Sequence, residues 1–527
     1  MRTLPVSLHS MPPANELAAR QARVWQQVCY MAEGLAIAPA IDSLLRHERI
    51  VARKRADCSR APWGNPGFVG VARRALAQQG RLPPRSSEHD AWLRGLDWYR
   101  LVPALLESCR AIQAGEPSHA CQAVPVILRS SKPTRDVPDR VATELLAFIA
   151  APTVLALADN ERLPPFQPEP FALPSGIWAV GRTGRLAQAA LRWLGWIDGP
   201  ASAPALTIEG RMGAAFSGQL RYPLSYLPML TRMDALLFGD PGIALERDSD
   251  QTESHLDRAA DIRFSTEVFQ RNCAPPLLAM ALPLFERGRA GDRPRIIVDV
   301  GCGDATVLVS LFNTIATRIA SADAAQDLLL VGIENNPVAE QAAKRTLAAC
   351  GAKYLLARGD ISHPEAIARR LATEGIDLSD ALHINKSVIH DRELVGTPQA
   401  LSAADTTDSD GVFAMPDGTL IGAATAQDDL VRFFQRWRPY LIRHGMITME
   451  PHALTIDAAA ALSGRSLSSV MEALHGFSCQ YLSTLERFNA ALHLAGLRLA
   501  EQRLIGSELT GHVYMSCSHF TVEGDSR

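Results

Sequence analysis

Residues 295–306 read RIIVDVGCGDAT. Three β-branched residues, Ile296, Ile297 and Val298, run into an acid, Asp299, and then into two glycines, Gly301 and Gly303. An amphipathic run over Leu308–Ile319 follows. This pattern predicts a buried strand, a tight turn and a helix. Glycines in such a turn let the backbone bend and let a ligand come close to it. The helix N-terminus behind them suits polar ligand groups.

Three more pieces follow in order within about ninety residues. Leu328–Ile333 (LLLVGI) predicts a second buried strand, and it ends in Glu334 and Asn335. A carboxylate there can accept from the two hydroxyls of a ribose. Tyr354–Ala357 predicts a third strand, followed by Asp360 and Ile361. That acid can accept from an adenine amino group while the isoleucine covers the ring. Asp380–Asn385 (DALHIN) predicts a fourth strand whose end faces cofactor and substrate. Each piece alone is an ordinary strand–helix turn with a solvated acid. Together they describe a nucleoside site. A dinucleotide turn would carry a third glycine where Thr306 stands, which disfavours NAD and suits S-adenosylmethionine (SAM). The expected cofactor-binding residues are Asp299, Gly301, Gly303, Asp304, Glu334, Asn335, Asp360, Ile361 and Asn385.

At 527 residues the chain exceeds one typical domain. A 47% hydrophobic fraction is that of a globular protein, and a net charge of −3 carries no nucleic-acid footprint. The nine cysteines form no C-x-x-C pair and are odd in number. That fits buried thiols in a reducing, cytoplasmic compartment rather than a disulfide framework. The first residues, MRTLPVSLHSMPPANE, lack the apolar core of a secretory signal. Val141–Ala158 is apolar enough to suggest a membrane span, but Glu144 and Pro152 favour a buried helix. Neither a membrane nor nucleic acid is expected as a partner.

From Pro294 onward, strand and helix patterns alternate, which predicts a parallel sheet covered on both faces. Further strands are expected at Met446–Met449, Arg498–Leu504 and His512–Val522, the last two without an intervening helix. The expected fold class is α/β, a Rossmann-like sheet preceded by a mostly helical region. The expected division is residues 1–240 as a helical lid or scaffold, 241–290 as a helical bridge and 291–527 as the catalytic domain. The bridge holds a polar group, Glu253, His255, Asp257, Arg258, Asp261, Arg263 and Ser265. This is either a solvated helix face or a cover over the cofactor pocket.

Ligands of such sheets bind at the carboxyl ends of the strands. After the fourth strand comes Lys386-Ser387-Val388-Ile389-His390-Asp391-Arg392, and after the fifth Glu450-Pro451-His452. His475–Tyr481 follows, with Cys479 and Gln480. Methyl transfer from SAM is an in-line displacement that needs mainly alignment. A carbon or hydroxyl acceptor also needs a base, and imidazole suits that role near physiological pH. His390, Asp391 and His452 are the candidate catalytic residues. His452 and Gln480 offer N and O ligands. With His390 or Asp391 they could hold Fe(II) or Mn(II), or they could form a hydrogen-bonded pocket without metal.

The ordered set ESHLDR, DVGCGD, GDI, LHINKSVIHDR, PDGT, EPH and HGFSCQ resembles the methyltransferases associated with modular polyketide synthases. These include the metal-dependent type that acts on malonyl-carrier-protein. The resemblance covers residues 245–520, and the N-terminal half is only loosely similar to that family's helical lid. It implies a class I methyltransferase fold, SAM, and a carrier-bound acyl substrate or related small molecule. It also implies metal positions at His452 and Gln480. Where the family commonly reads R-S-F-L-D-H-D-R, this chain reads N-K-S-V-I-H-D-R, with Ile389 in place of an acid and Lys386 added. Two other classes fit the residues: a metal-independent O- or N-methyltransferase of a small metabolite, and a non-catalytic SAM-binding scaffold.

Overall fold

The computed structural model describes residues 14–47, 64–81, 96–116, 123–130, 140–159, 171–172, 182–247, 253–286, 292–318, 327–395, 411–506 and 511–523. The chain divides into two compact units: Met1–Asp42 with Leu93–Leu224, and Ser43–Trp92 with Ser225–Arg527. The expected break near residue 240 is thus replaced by one at 224/225, and residues 43–92 join the unit that holds the large sheet.

The first unit is helical. Most of α1 (Ala14–Arg46) belongs to it, as do α2 (Val102–Gln113), α3 (Arg140–Asp159) and α4 (Arg182–Trp193). Three two-residue strands form a small sheet beside them. Two helices, Asn15–Arg46 and Arg140–Asp159, are long and apolar enough to cross a membrane, yet their apolar windows are 94% and 83% buried within the protein. The acids inside them are matched. Arg140 bridges Glu33 and Glu144, both at 2.8 Å, and Tyr99 donates to Glu144. Buried carboxylates persist only with such partners.

The second unit is built on seven strands. These are β1 (Ile296–Val300), β2 (Leu329–Ile333), β3 (Lys353–Ala357), β4 (Leu382–Lys386), β5 (Met446–Pro451), β6 (Leu497–Gly506) and β7 (Val513–Val522). Their order across the sheet is β6-β7-β5-β4-β1-β2-β3. β1 to β5 run parallel, and β7 is antiparallel to both β5 and β6. The chain winds outward through β1, β2 and β3, then returns to the other side of β1 as β4. This reversal opens a crevice at the strand ends between β1 and β4, where ligands of open α/β sheets bind. Side chains alternate across the sheet. Ile297, Leu382, Ile384 and Met449 pack on one face, with Val298, Val300, Val331 and Ile333 on the other.

The short strands Val412–Ala414 and Leu420–Gly422 form a separate hairpin. The helix Pro66–Gln78 packs on this hairpin and on Ser468–Phe477. Gly67 makes this possible, since a Cβ there would stand 2.7 Å from the Thr419 carbonyl oxygen. Arg74 pairs with Glu472, which also accepts from Gln78 at 2.7 Å, and Arg74 donates to the Leu454 carbonyl at 2.8 Å. Both members of the ion pair are buried. Arg74→Met strands a buried carboxylate and is expected to destabilise the fold by about 3–5 kcal/mol. Thermal unfolding within a degree of the wild type would contradict a stabilising role for this pair.

Candidate active site

A cavity of about 260 Å³ lies at the carboxyl ends of β1, β2, β3 and β4. Asp299, Gly301, Gly303, Asp304, Glu334, Asn335, Asp360 and Ile361 all line it. The β1 turn is held by backbone geometry: Gly301 and Gly303 sit at φ +73° and +57°, and Ala305 at +61°. Left-handed conformations suit glycine and cost other residues roughly 1–2 kcal/mol. A Cβ on Gly303 would meet nothing within 4 Å, so the turn offers open space to a ligand. On Gly301 it would stand 2.7 Å from Val388 Cγ2, so that glycine serves the packing of the β4 loop instead. Glu334 accepts from the backbone N–H groups of Gly303 (2.9 Å), Asn335 (3.0 Å) and Asn336 (2.9 Å), which fixes the β1 and β2 loops together. Asp360 accepts from Ser362 N at 2.7 Å.

The bridge folds over this cavity. The helix Arg258–Val268 and the π-helical turn Phe269–Cys273 contribute Arg258, Asp261, Ser265, Thr266 and Phe269 to its lining. Thr266 donates to Asp304 at 2.8 Å, and Asn336 donates to Glu253 at 2.5 Å. Arg258 is held between Glu253 (2.7 Å) and Asp261 (3.0 Å). Of the polar cluster upstream of β1, Glu253, Arg258, Asp261 and Ser265 line the pocket, while Asp257 and Arg263 are exposed to solvent.

Asn385 departs from expectation. It does not line the cavity: it accepts from Thr448 Oγ1 at 2.5 Å and its amide faces Met446 Sδ at 3.1 Å. The period-2 alternation along β4 turns it, with His383, to the sheet face away from Lys386.

His390, next to the cavity-lining Asp391, pairs with Glu450; neither His390 nor Glu450 lines the cavity itself. His390 Nδ1 lies 2.7 Å from Glu450 Oε1, which also accepts from the His390 backbone N–H at 3.0 Å. Both side chains are 3% exposed. In the neutral imidazole this assigns the proton to Nδ1 and leaves the Nε2 lone pair free. Nε2 makes no hydrogen bond among the described residues. The ring stands edge-on to His475, centroids 4.6 Å apart. Arg392 anchors the loop, donating to Asp429 (2.8 Å) and to the carbonyls of Ala426 and Ile389.

Asp391, expected beside His390 as a possible orienting acid, instead faces the cavity and accepts from the Gln480 amide. Burial raises its carboxyl above the usual range, against the pull of His390 and Arg258. Glu450 does the orienting, although it lies sixty residues away in the chain. No local pattern signals this; the EPH motif marked the segment but not the contact.

His452 and Gln480 do not form the expected metal pair. His452 Nε2 is 2.8 Å from Ser516 Oγ, and its ring packs edge-on against Phe488. Gln480 is engaged with Asp391. Among the described residues no three His, Cys, Asp or Glu side chains converge as metal ligands. His452 Nδ1 and Gln480 Oε1 are nevertheless buried without a hydrogen-bond partner.

Burial holds His452, His255, His383 and His444 at pKa values of about 4. Each is therefore neutral when folded and takes up a proton on unfolding between pH 6.5 and about 4. Their contribution is intact above pH 6.5 and is lost as the pH falls, by up to ~1.4 kcal/mol per pH unit for each group. Melting temperature should drop steeply from pH 6.5 to 4.5. A flat profile would contradict burial of these rings in the neutral form.

Comparison with known proteins bears on this site. Residues 253–506 match the family model described as the AprA MT2-like domain, a methyltransferase family. This unit is a SAM-dependent methyltransferase. No curated protein matches the sequence. Among solved structures, an O-methyltransferase family protein from Burkholderia thailandensis is similar at 14% identity, covering 71% of this chain and 94% of its own, with a TM-score of 0.38. The mitomycin 7-O-methyltransferase MmcR shares 14% identity over 71% and 94%, TM-score 0.36. The CurJ carbon methyltransferase shares 10% over 75% and 96%, TM-score 0.34. The methyltransferase sheet is the one described above, and SAM fits its cavity. Gly303 leaves room along the backbone, and Glu334, Asp360 and Ile361 stand at successive strand ends. The two oxygens of Asp299 are buried without a partner.

Proposed function

We propose that this methyltransferase alkylates the activated carbon of a β-ketoacyl thioester of natural-product type, with His390 as general base. The observation that supports it is the buried His390–Glu450 pair, whose histidine is adjacent in the chain to Asp391, which lines the cofactor cavity. SAM supplies an activated methyl group when bound. The protein's part is to remove a proton and to hold the acceptor in line. His390 Nε2 takes the proton from the carbon, and Glu450 stabilises the imidazolium that results. The electron pair of that C–H bond would become the new C–CH₃ bond as the methyl–sulfur bond breaks, its pair staying on sulfur as the neutral thioether of S-adenosylhomocysteine. Glu334 and Asp360 orient the nucleoside end. The bridge helix covers the site and excludes water. A carbon flanked by two carbonyls is acidic enough for an imidazole, which favours a β-ketoacyl unit over a simple acyl chain. The motif resemblance over 245–520 favours a thioester acceptor.

The test offers SAM with β-ketoacyl and malonyl thioesters, phenols and amines, read by mass spectrometry. Acceptors deuterated at the α-carbon separate the outcomes. Methylation with loss of one label supports carbon transfer to the ketoacyl unit. Methylation of phenols or amines alone would replace this reading with O- or N-transfer by the same base.

A further inference from the structure

The helix Pro66–Gln78 lies outside residues 253–506, which match the family model, yet it belongs to the same unit as the large sheet. It packs on segments that enclose His390. Tyr481 N–H donates to the His390 carbonyl oxygen at 2.7 Å, the His475 ring stands edge-on to His390 with centroids 4.6 Å apart, and Gln480 donates to Asp391. The Tyr481 ring meets Arg392 at 5.9 Å and Phe413 at 5.8 Å. Four contacts tie this enclosure to the helix. Val71 packs so closely on Gly476 that a Cβ there would stand 2.7 Å from Val71 Cγ1. Glu472, one turn earlier than Gly476, accepts from Arg74 and Gln78. Arg74 also donates at 2.8 Å to the carbonyl of Leu454, in the loop that follows β5 and its Glu450. Gly67 N–H donates at 2.8 Å to the carbonyl of Gly418, in the turn of the hairpin that carries Phe413.

We infer that the helix Pro66–Gln78 is a positioning element of the active site, with Val71 as its main point of leverage. It fixes residues 475–481 and the loop after β5, and through them the orientation of His390 against Glu450. The catalytic consequence rests on the reading of His390 as the base. Val71 is β-branched and stiff at χ1, so it cannot turn away from a group added at residue 476. A close-packed interior passes such a displacement on instead of absorbing it. The displaced segment is the one that holds His390 by its carbonyl and its ring. No residue of this helix lines the cofactor cavity. A disturbance of the Val71–Gly476 contact should therefore reach the proton transfer and spare cofactor binding.

The test uses the full chain and three variants. Gly476→Ala crowds the contact, Val71→Ala opens it, and the double variant relieves the crowding. Gly476→Ala should lower kcat with a β-ketoacyl thioester by about 10–100-fold, the scale of a misplacement near 1 Å. Its affinity for S-adenosylhomocysteine, by calorimetry, should stay within about threefold of wild type, since the cavity is untouched. The double variant should recover most of the lost kcat, because the two residues share one contact and their effects do not add. NMR of nitrogen-labelled histidine reads the orientation without any acceptor. The His390 Nδ1–H signal, assigned by its loss in His390→Ala, should shift in Gly476→Ala and return in the double variant. If Gly476→Ala does not fold, Val71→Ala carries the same comparison, with a shifted signal expected at unchanged cofactor affinity. An unshifted signal, or no recovery in the double variant, would overturn the positioning role. A shifted signal with wild-type kcat would instead uphold that role and overturn the reading of His390 as the base.

Discussion

Replacing His390 with alanine is expected to lower turnover by about 10²–10⁴-fold while cofactor affinity stays within a few-fold. The imidazole is oriented by Glu450 at 2.7 Å, next in the chain to the cavity-lining Asp391. Glu450→Gln should lose activity on the same scale. An amide in that place can donate to Nδ1 and so favours the wrong tautomer, an effect of about 10⁴-fold in the serine-protease triad. The double variant should be little worse than either single one, because the two residues act as a unit. Single-turnover kinetics with isotopically labelled SAM measures all three. Turnover of His390→Ala within about threefold of wild type would move the proton transfer to another group. A full loss in Glu450→Gln accompanied by a collapsed melting temperature would mean that the contact is structural.

The second large effect concerns the β1 turn. Gly303→Leu should abolish measurable SAM binding and leave the fold largely intact. Its side chain would project into open cavity, at a backbone cost of roughly 1–2 kcal/mol for the left-handed conformation. Gly301→Val, two residues earlier, should behave differently. There the new side chain collides with Val388 in the β4 loop, so stability and binding should fall together. Paired melting curves and calorimetry distinguish the two. Wild-type affinity in Gly303→Leu would place the cofactor elsewhere.

Much of the fold was legible because the sheet is written in short-range code. Short apolar runs mark β1 to β4, β1 and β2 ending in Asp299 and Glu334, and helical periodicity marks the segments between them. Boundaries fall within a few residues: β1 is Ile296–Val300, and the run Leu308–Ile319 lies in the helix Thr306–Arg318 to within a residue. The hairpin Val412–Ala414 with Leu420–Gly422 escaped notice, since three-residue strands carry too little pattern. His475 lies in the helix Ser468–Phe477, its Nδ1 2.6 Å from the Met471 carbonyl oxygen.

The sequence by itself determined the strand-end acids, the glycine turn and hence the cofactor class, because each of those signals lies within a dozen residues of chain. Which side chains meet was decided by tertiary structure alone. The β4–β5 register sets Lys386 opposite Met449, and so brings Glu450 to His390 across sixty residues. Alternation along β4 sends Asn385 one way and Lys386 the other, and a one-residue shift would exchange them. Sheet pairing also carries β7 alongside β5, where Ser516 meets His452 Nε2 across sixty-four residues. Such contacts depend on register and crossover, which no local periodicity encodes.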